Sequence, residues 1–360
     1  MSTVHPRARA RRVTAHSEPR FRLADLGVYG FDRHETTILA ALVTEDPLLL
    51  VGRSGTGKTF LLNTLSEALG LEHRHYNASL ISFDDLVGFP YPDEAHTTVR
   101  FLETPATVWG AESVLIDEIS RCKPEHQNRL FSLVHERRLQ GLPLERLKYR
   151  WAAMNPCTSD QGGTEDYSGS EPLDPALADR FALVVTAADW GDLTNAQQQA
   201  IVAPSGEGMV TPRNDALCDA VGRWRAQFIE QVNACPPQVI TYVTTVVSAL
   251  NGACIRISPR RARLLARSLV AATIVAGRAT SATFKSVLEC SLPHSTWGQS
   301  VDPAIVAAAH RAGWDASREE EGAWIHAFLA EQSLPRKLSL LIDNCGDPDQ
   351  GSQAIAQLIA

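Results

Sequence analysis

The sequence predicts an α/β fold in which helices cover both faces of a parallel sheet, followed by a purely helical region. Between residues 21 and 190, short apolar runs alternate with longer helical patterns, which is typical of this layout. Past residue 190 the pattern becomes helical throughout. Because ligands of such sheets lie beyond the carboxyl ends of the strands, the polar residues there are expected to form one site. The predicted strands that end in polar residues are 48–51, 75–78, 114–116 and 150–154.

The changes in pattern divide the chain into four predicted units. Residues 1–22 carry six arginines against one acid and are expected to be a disordered basic arm, with docking to nucleic acid or a partner as the alternative. Residues 23–195 contain the predicted sheet, and residues 196–298 form a helical region. Residues 299–360 are predicted to be a helical C-terminal extension, to which the sequence assigns no chemical role.

The overall composition excludes several classes of protein. With 44% hydrophobic residues, the 360-residue chain can bury a large core. The formal net charge of −7 gives no overall bias toward nucleic acid. The seven cysteines include no Cys-x-x-Cys pair, which argues against a zinc knuckle and a disulfide framework. No apolar stretch approaches the roughly 20 residues that cross a bilayer, so we expect a soluble, cytoplasmic protein without a membrane span.

A glycine-rich segment follows the first predicted strand and precedes a helical pattern that ends at Gly70. Glycines let the backbone curl closely enough to present a row of N–H groups to a phosphate chain. Lys58 is then expected to reach the β- and γ-phosphates, and the Thr59 hydroxyl is expected to bind Mg²⁺. The predicted nucleotide-binding residues are Gly52, Arg53, Ser54, Gly55, Thr56, Gly57, Lys58, Thr59 and Phe60.

Two adjacent acids, Asp117 and Glu118, directly follow the third predicted strand. A carboxylate at the end of a buried strand is costly unless it is paired, hydrated or bound to metal. We therefore expect Asp117 to hold Mg²⁺ and Glu118 to orient and activate the attacking water, which is chiefly positioning work in phosphoryl transfer.

Taken together, the glycine-rich loop, the Asp-Glu pair, Asn155 and the run Asp179-Arg180-Phe181 resemble AAA+ ATPases. Residues 84–89 and 117–137 are similar to the MoxR family and its dynein-related relatives. The similarity covers about residues 25–290. It implies an αβα sandwich, ATP and Mg²⁺ as ligands, and a helical lid formed by residues 196–298.

The resemblance also implies roles for three residues outside the loop. Asn155 matches sensor 1, whose amide orients the water or the γ-phosphate. Arg180 matches the arginine finger that one subunit supplies to its neighbour, and the alternative is an arginine paired with Asp174 or Asp179. Arg260 matches sensor 2, which contacts the γ-phosphate; its alternatives in the same segment are Arg261 and Arg263.

The same resemblance implies a homo-oligomeric ring, expected to be hexameric, that uses hydrolysis to remodel or mature a protein client. It also implies a separate partner that carries a von Willebrand factor A domain. Two alternatives stay open, a nucleic-acid-linked motor and a nucleotide-gated binding module. The first draws on a predicted hairpin over residues 136–151, whose alternation places Arg146, Lys148 and Arg150 on one basic face; a solvated or subunit-facing strand is its simpler interpretation.

Two further segments carry expectations about mobility and exposure. Residues 157–170 are polar and glycine-rich, and we expect them to form a mobile loop. His73 and His75 have no other metal-ligand residues nearby in sequence, and both are expected at the surface.

Overall fold

The computed structural model describes residues 21–94, 97–122, 127, 130–156, 170–203, 213–292 and 298–330, with a few positions between 333 and 340. Side chains are described within these ranges except at residues 83 and 319–330. The predicted basic arm up to residue 20 and the predicted mobile loop before Ser170 lie outside the described residues.

Nine strands are present in the described part of the chain, and five of them form one parallel sheet in the order β2-β5-β8-β1-β9. The predicted α/β class is therefore confirmed. In chain order the strands are β1 (Leu48–Val51), β2 (His73–Asn77), β3 (Pro90–Pro92), β4 (Val99–Phe101), β5 (Ser113–Asp117), β6 (Arg138–Leu139), β7 (Leu142–Pro143), β8 (Tyr149–Met154) and β9 (Leu183–Thr186).

The helices lie mainly before β1, after β1 and beyond β9. Ser258 caps the N-terminus of one of them: its Oγ accepts a hydrogen bond from Arg261 N at 3.1 Å, and Pro259 takes the first helical position. The described helices are α1 (Glu35–Thr44), α2 (Lys58–Ala68), α3 (Phe83–Val87), α4 (Pro175–Ala178), α5 (Asn195–Val202), α6 (Asp215–Asn233), α7 (Pro237–Gly252), α8 (Pro259–Ala276), α9 (Ser281–Cys290) and α10 (Pro303–Ala330).

Side chains of the sheet alternate between two hydrophobic clusters, as the pleat of a strand requires. Leu48 and Leu50 of β1 face the cluster that includes α1, α2 and helices α6–α9, whereas Leu49 and Val51 face the cluster on the other side. Helix α1 packs against α6, α8 and α9. The helical region therefore shares a continuous core with one face of the sheet. Helix α10, in the predicted extension, packs against α7.

Strand β9 was not among the four predicted strands. Its four residues begin one position after the Asp179-Arg180-Phe181 run, and three of them are buried. The strand pairs with β1 in parallel, Leu48 opposite Leu183, and so places the arginine-bearing turn beside the edge of the sheet. In the predicted C-terminal extension, residues 304–309 and 321–329 lie on the single helix α10.

The prediction of a basic hairpin face is wrong at Arg150. The hairpin itself is short, formed by β6 and β7, and Arg150 belongs to β8 in the central sheet. Arg150 is 4% exposed, and its guanidinium donates to Val134 O at 3.0 Å and Glu45 O at 2.7 Å. Arg146 and Lys148 instead pair with Glu112, at 3.7 and 3.2 Å. Burial of a strand on both faces overrode the alternation expected from a two-sided hairpin.

Arg261 of helix α8 joins the helical region to the turn that precedes β9. Its guanidinium donates to Ser291 O at 2.6 Å, to Ala178 O at 3.0 Å and to Phe181 O at 3.3 Å. The side chain is almost fully buried. This arginine therefore acts as a structural clamp, and the suggestion that it could serve as sensor 2 is not supported by its position.

Replacing Arg261 with methionine is expected to lower the free energy of unfolding by about 3–5 kcal/mol, because three carbonyl oxygens each lose a charged hydrogen bond and Asp179 loses a buried partner. Arg263→Met is the matched control, since Arg263 lies on the same helix and is exposed. Urea denaturation of both variants would measure the difference. An Arg261→Met protein as stable as the control would contradict the clamp.

Candidate active site

The glycine-rich loop joins β1 to α2 in the predicted strand-loop-helix order. Gly55 and Gly57 have φ values of 80° and 79°, a region that residues with a β-carbon rarely adopt. A β-carbon at Gly52 would lie 2.8 Å from Thr56 Oγ1 and 2.9 Å from the β-carbon of Ala187. The loop curls tightly onto the N-terminus of α2, where backbone N–H groups and the helix dipole favour an anion.

Lys58, at the start of α2, is buried against the loop. Its Nζ donates to Gly52 O at 2.8 Å, to Arg53 O at 2.7 Å and to Asn155 Oδ1 at 3.2 Å. Burial lowers the pKa of the Lys58 ammonium, while the nearby carboxylates of Asp117 and Glu118 raise it. Asn155 thus stands beside the lysine at the end of β8, as expected for a residue that contacts the terminal phosphate.

Asp117 and Thr59 meet across the cleft between β5 and α2. Thr59 Oγ1 donates to Asp117 Oδ2 at 2.8 Å, and Glu118 N donates to Asp117 Oδ1 at 2.8 Å. Burial raises the pKa of Asp117, but hydrogen bonds from His75, Thr59 and the Glu118 amide outweigh it and hold that pKa below its usual value. A hydroxyl and an ionised carboxylate are hard oxygen donors, so these residues fit Mg²⁺.

The two histidines predicted to lie at the surface have partners in the structure. His73 Nδ1 lies 2.8 Å from Ser113 Oγ and its Nε2 lies 3.1 Å from Asn63 Oδ1. Burial lowers the pKa of His73 to about 4. His75 Nε2 lies 3.4 Å from Asp117 Oδ2. The surface prediction is wrong for His73, which is part of the packing between β2 and α2.

Glu118 follows β5 in the left-handed region, with φ of 53°, a conformation uncommon for a residue other than glycine and often found at functional sites. Its Oε2 accepts hydrogen bonds from Asn77 Nδ2 at 3.3 Å and Ser79 Oγ at 3.5 Å. Asn77 was missed in the sequence. The signal for it was strand register, because Asn77 ends β2 directly opposite Asp117 on β5.

These side chains surround a cavity of about 370 Å³. Most of the predicted site residues line this cavity, including most of the glycine-rich loop, the Asp-Glu pair and Asn155. The lining residues are 54–60 together with Asn77, Asp117, Glu118, Met154 and Asn155.

A second cavity, of about 420 Å³, shares the loop residues 54–57 and Phe60 with the first. Its other walls come from two segments far apart in sequence, one before α1 and one after β9. The mixture of aromatic, aliphatic and backbone groups suits a planar base better than a phosphate. None of its remaining lining residues was predicted: Gly27, Tyr29, Gly30, Ala188, Asp189, Trp190, Leu193 and Ile201.

Arg53 of the loop reaches the rim of this second cavity. Its Nη1 lies 3.0 Å from Asp189 Oδ2, and both side chains are about half exposed. An exposed ion pair of this kind contributes at most about 1 kcal/mol. It nevertheless joins the phosphate side of the site to the turn that carries Trp190.

Arg180 and Arg260 line neither cavity. Arg260 Nη1 lies 3.1 Å from Asp179 Oδ2. Arg180 Nη1 donates a hydrogen bond to Ala176 O. Burial and the nearby charge of Arg260 lower the pKa of the Arg180 guanidinium. Asp179 is occupied by Ser258, Arg260 and Arg261.

The alternative interpretation of Arg180, a pairing with Asp174 or Asp179, is not realised among the described contacts. Asp174 Oδ1 instead caps α4 by accepting from Ala176 N at 2.7 Å and Leu177 N at 3.3 Å. The predicted catalytic residues therefore fall into two groups. Glu118 and Asn155 line the cavity, while Arg180 and Arg260 cluster together outside it.

Comparison with known proteins agrees with this architecture. Residues 47–181 match the family model of the AAA domain of the dynein-related subfamily, a range that begins before β1 and ends at Phe181. The match supports an AAA domain over these residues, whereas the predicted domain bounds and the narrower likeness to the MoxR family stay predictions.

Two uncharacterized proteins from two strains of Staphylococcus epidermidis are each 29% identical to this chain over 154 residues, 38% of this chain and 54% of theirs. The chain thus spans about half the length of the curated relatives it matches. A candidate ATPase from Cytophaga hutchinsonii superposes with a TM-score of 0.56 at 18% identity, over 81% of this chain and 92% of that one. At that identity the likeness concerns the fold alone. Among the described helices, none is both long enough and apolar enough to cross a bilayer.

Proposed function

We propose that this protein is an Mg²⁺-dependent ATPase whose active sites form between neighbouring subunits of a ring. The observation that carries the proposal is the division of the predicted catalytic residues into two groups on one chain. One group lines the cavity beside the glycine-rich loop, and the other, Arg180 and Arg260, lies apart from both cavities. A second subunit would bring the two groups together.

Within one subunit, the residues of the first cavity divide the chemistry of hydrolysis. Lys58 and the backbone N–H groups of the loop hold the phosphate chain. Mg²⁺, held by Thr59 and Asp117, would neutralise the charge of the β- and γ-phosphates. Glu118 orients the attacking water and accepts its proton as the water oxygen bonds to the γ-phosphorus and the bond to the ADP oxygen breaks. Asn155 orients the same water or the γ-phosphate.

Between subunits, Arg180 would stabilise the negative charge of the transferred phosphoryl group. Arg260 belongs to the same group, because its Nη1 pairs at 3.1 Å with Asp179, the residue next to Arg180. We therefore propose that Arg260 also acts at the neighbouring subunit's site rather than at its own. Because the two arginines lie together, we expect both to serve the active site of the same neighbouring subunit.

The wider assembly is proposed from the resemblance to MoxR-like ATPases. It comprises a ring, expected to be hexameric, a protein client that is remodelled or matured, and a separate partner with a von Willebrand factor A domain. We propose a cytoplasmic location from the composition of the chain. Residues 166–170 read Asp-Tyr-Ser-Gly-Ser, the Asp-x-Ser-x-Ser spacing of an adhesion-type metal site. They fall inside the AAA domain match, between β8 and α4, so they do not supply that separate domain.

The nucleic-acid-linked motor is not carried forward as a second function. Its sequence support was the basic face of Arg146, Lys148 and Arg150 together with the arginine-rich arm. The arm lies almost wholly outside the described residues, and the three hairpin residues do not form one exposed basic face. Arg150 is buried, and the other two side chains pair with Glu112.

Replacing Lys58 with alanine is expected to raise the Kd for Mg-ATP by about 10- to 150-fold, because a charged hydrogen-bond donor to the phosphates is lost. Isothermal titration calorimetry with ATP and Mg²⁺ would measure it. Lys148→Ala is the control, since that lysine is exposed and pairs with Glu112. Equal affinities for ATP in the two variants would refute the proposed phosphate site.

A further inference from the structure

Arg180 is held by an aromatic ring. Its guanidinium carbon lies 4.4 Å from the centroid of the Phe131 ring. A cation placed over an aromatic face at this distance is attracted by the quadrupole of the ring, and arginine is the cation most often found there. The contact joins the turn after α4 to the helical segment that follows β5.

Among the described contacts, the guanidinium of Arg180 makes one hydrogen bond. Nη1 donates to Ala176 O, whereas Nε is buried and has no hydrogen-bond partner among the described residues. A carboxylate partner would compete with a phosphate for the guanidinium, but a ring face does not occupy the N–H groups. Stacking therefore fixes the plane of the guanidinium without consuming its hydrogen bonds.

The segment that carries Phe131 is itself unusual. Residues Ser132–Glu136, directly after it, are wound as a π-helix, a rare form that occurs frequently at functional sites. His135 of this segment lies near both arginines; burial lowers its pKa, and Arg260 and Arg180 lower it further. A neutral imidazole at this point adds no repulsion to the two guanidinium groups.

The same segment is tied to the end of β5, where Glu118 lies. Gln127 is buried, donates to Cys122 O at 3.0 Å and accepts from Asp174 N at 3.2 Å. Ser170 Oγ donates to Ser120 Oγ at 2.9 Å. These contacts fix the residues before Phe131 to the residues before Arg180, so the ring has a defined position relative to the arginine.

We propose that Phe131 is a positioning residue that sets the direction in which Arg180 is presented to the neighbouring subunit. The proposal rests on the proposed function, because it assumes that Arg180 acts at the site of a neighbour. Phe131 itself lines neither of the two cavities. Its effect is therefore confined to turnover and leaves the subunit's own nucleotide cavity unchanged.

The test compares Phe131→Leu, which keeps apolar bulk but removes the ring face, with Phe131→Tyr, which keeps it. We expect Phe131→Leu to lower kcat about 3- to 30-fold with the KM for ATP unchanged. We expect Phe131→Tyr to keep the kcat of the wild-type protein. Phe101→Leu is the matched control, because Phe101 is likewise partly buried against the same hydrophobic cluster but contacts Trp109 instead of an arginine.

A double-mutant cycle separates positioning from general packing. If Phe131 acts through the arginine, Phe131→Leu has no further effect on kcat once Arg180→Ala is present. An equal loss in Phe101→Leu, or a loss that persists in the Arg180→Ala background, would overturn the positioning role.

Failure of the proposal and failure of the proposed function give different results. Full kcat in Phe131→Leu together with a severe loss in Arg180→Ala would reject Phe131 alone. Full kcat in both variants would reject the finger role of Arg180, and with it the proposed shared active site. If Phe131→Leu does not fold, the decision passes to Phe131→Met, which also removes the ring face. A kcat below that of Phe131→Tyr then supports the contact with the ring face, and a kcat equal to it overturns the positioning role.

Discussion

Arg180→Ala is expected to lower the kcat of the assembled protein by about 10³- to 10⁵-fold, the range found for arginine fingers. The guanidinium supplies charge where negative charge develops in the transition state, and alanine leaves that charge uncompensated. The Kd for ATP should stay unchanged, since Arg180 lines neither cavity of its own subunit. Steady-state phosphate release at a protein concentration that preserves the ring would measure the loss.

The control for this experiment is Arg138→Ala. Arg138 is exposed and donates to Gly141 O at 2.9 Å within the short hairpin, away from Asp179 and its partners. If Arg180→Ala retains turnover within a factor of ten of Arg138→Ala, the arginine is a surface residue without a catalytic role.

Glu118→Gln is expected to lower kcat by about 10²- to 10⁴-fold, because the amide no longer accepts a proton from the attacking water. Glutamine has nearly the same shape and can still accept the hydrogen bond from Asn77, so ATP binding should persist. Single-turnover hydrolysis and equilibrium ATP binding, measured on the same preparation, would separate the two effects. Loss of ATP binding together with hydrolysis would show that Glu118 is structural.

The same variant separates the ATPase from a nucleotide-gated binding module. A tagged Glu118→Gln protein purified with ATP should retain both the ring and its client, because hydrolysis can no longer release them. If the biological activity on the client survives without hydrolysis, nucleotide binding suffices and the remodelling function is wrong. Glu112→Gln is the matched control, since Glu112 pairs with Arg146 and Lys148 outside the cavity.

Much of the phosphate side of the site could be predicted from sequence, because its chemistry is local. The glycine-rich loop, Lys58 and Thr59 are contiguous, and a loop between a strand and a helix leaves little freedom in their geometry. Asp117 and Asn155 could be placed because each stands at the end of a buried apolar run, and parallel strands present such ends at one edge. The alternation of patterns likewise predicted the parallel sheet.

The second cavity could not be predicted, since its walls come from segments about 160 residues apart that carry no local motif. Tyr29 and Trp190 look like ordinary aromatic residues in sequence. Only the pairing of β9 with β1 brings the turn after β9 beside the loop. The contact between Phe131 and Arg180 was hidden for the same reason.

The different roles of neighbouring arginines were the hardest feature to predict from sequence. Arg260 and Arg261 both follow a good helix start, but successive helical residues point about 100° apart, so one faces Asp179 from the solvent side and the other is buried. Arg150 was predicted on an exposed basic face because residues alternate in a strand. That alternation could not indicate that both faces of β8 are covered, so Arg150 is buried.

Mixing Arg180→Ala subunits with Glu118→Gln subunits is the most direct measurement of an active site shared between neighbours. Each variant alone should be nearly inactive. In an equal mixture, about a quarter of the interfaces would pair an intact Glu118 on one side with an intact Arg180 on the other, so turnover should return to roughly that fraction of wild type. A mixture that co-assembles yet stays as inactive as its components would contradict the shared site.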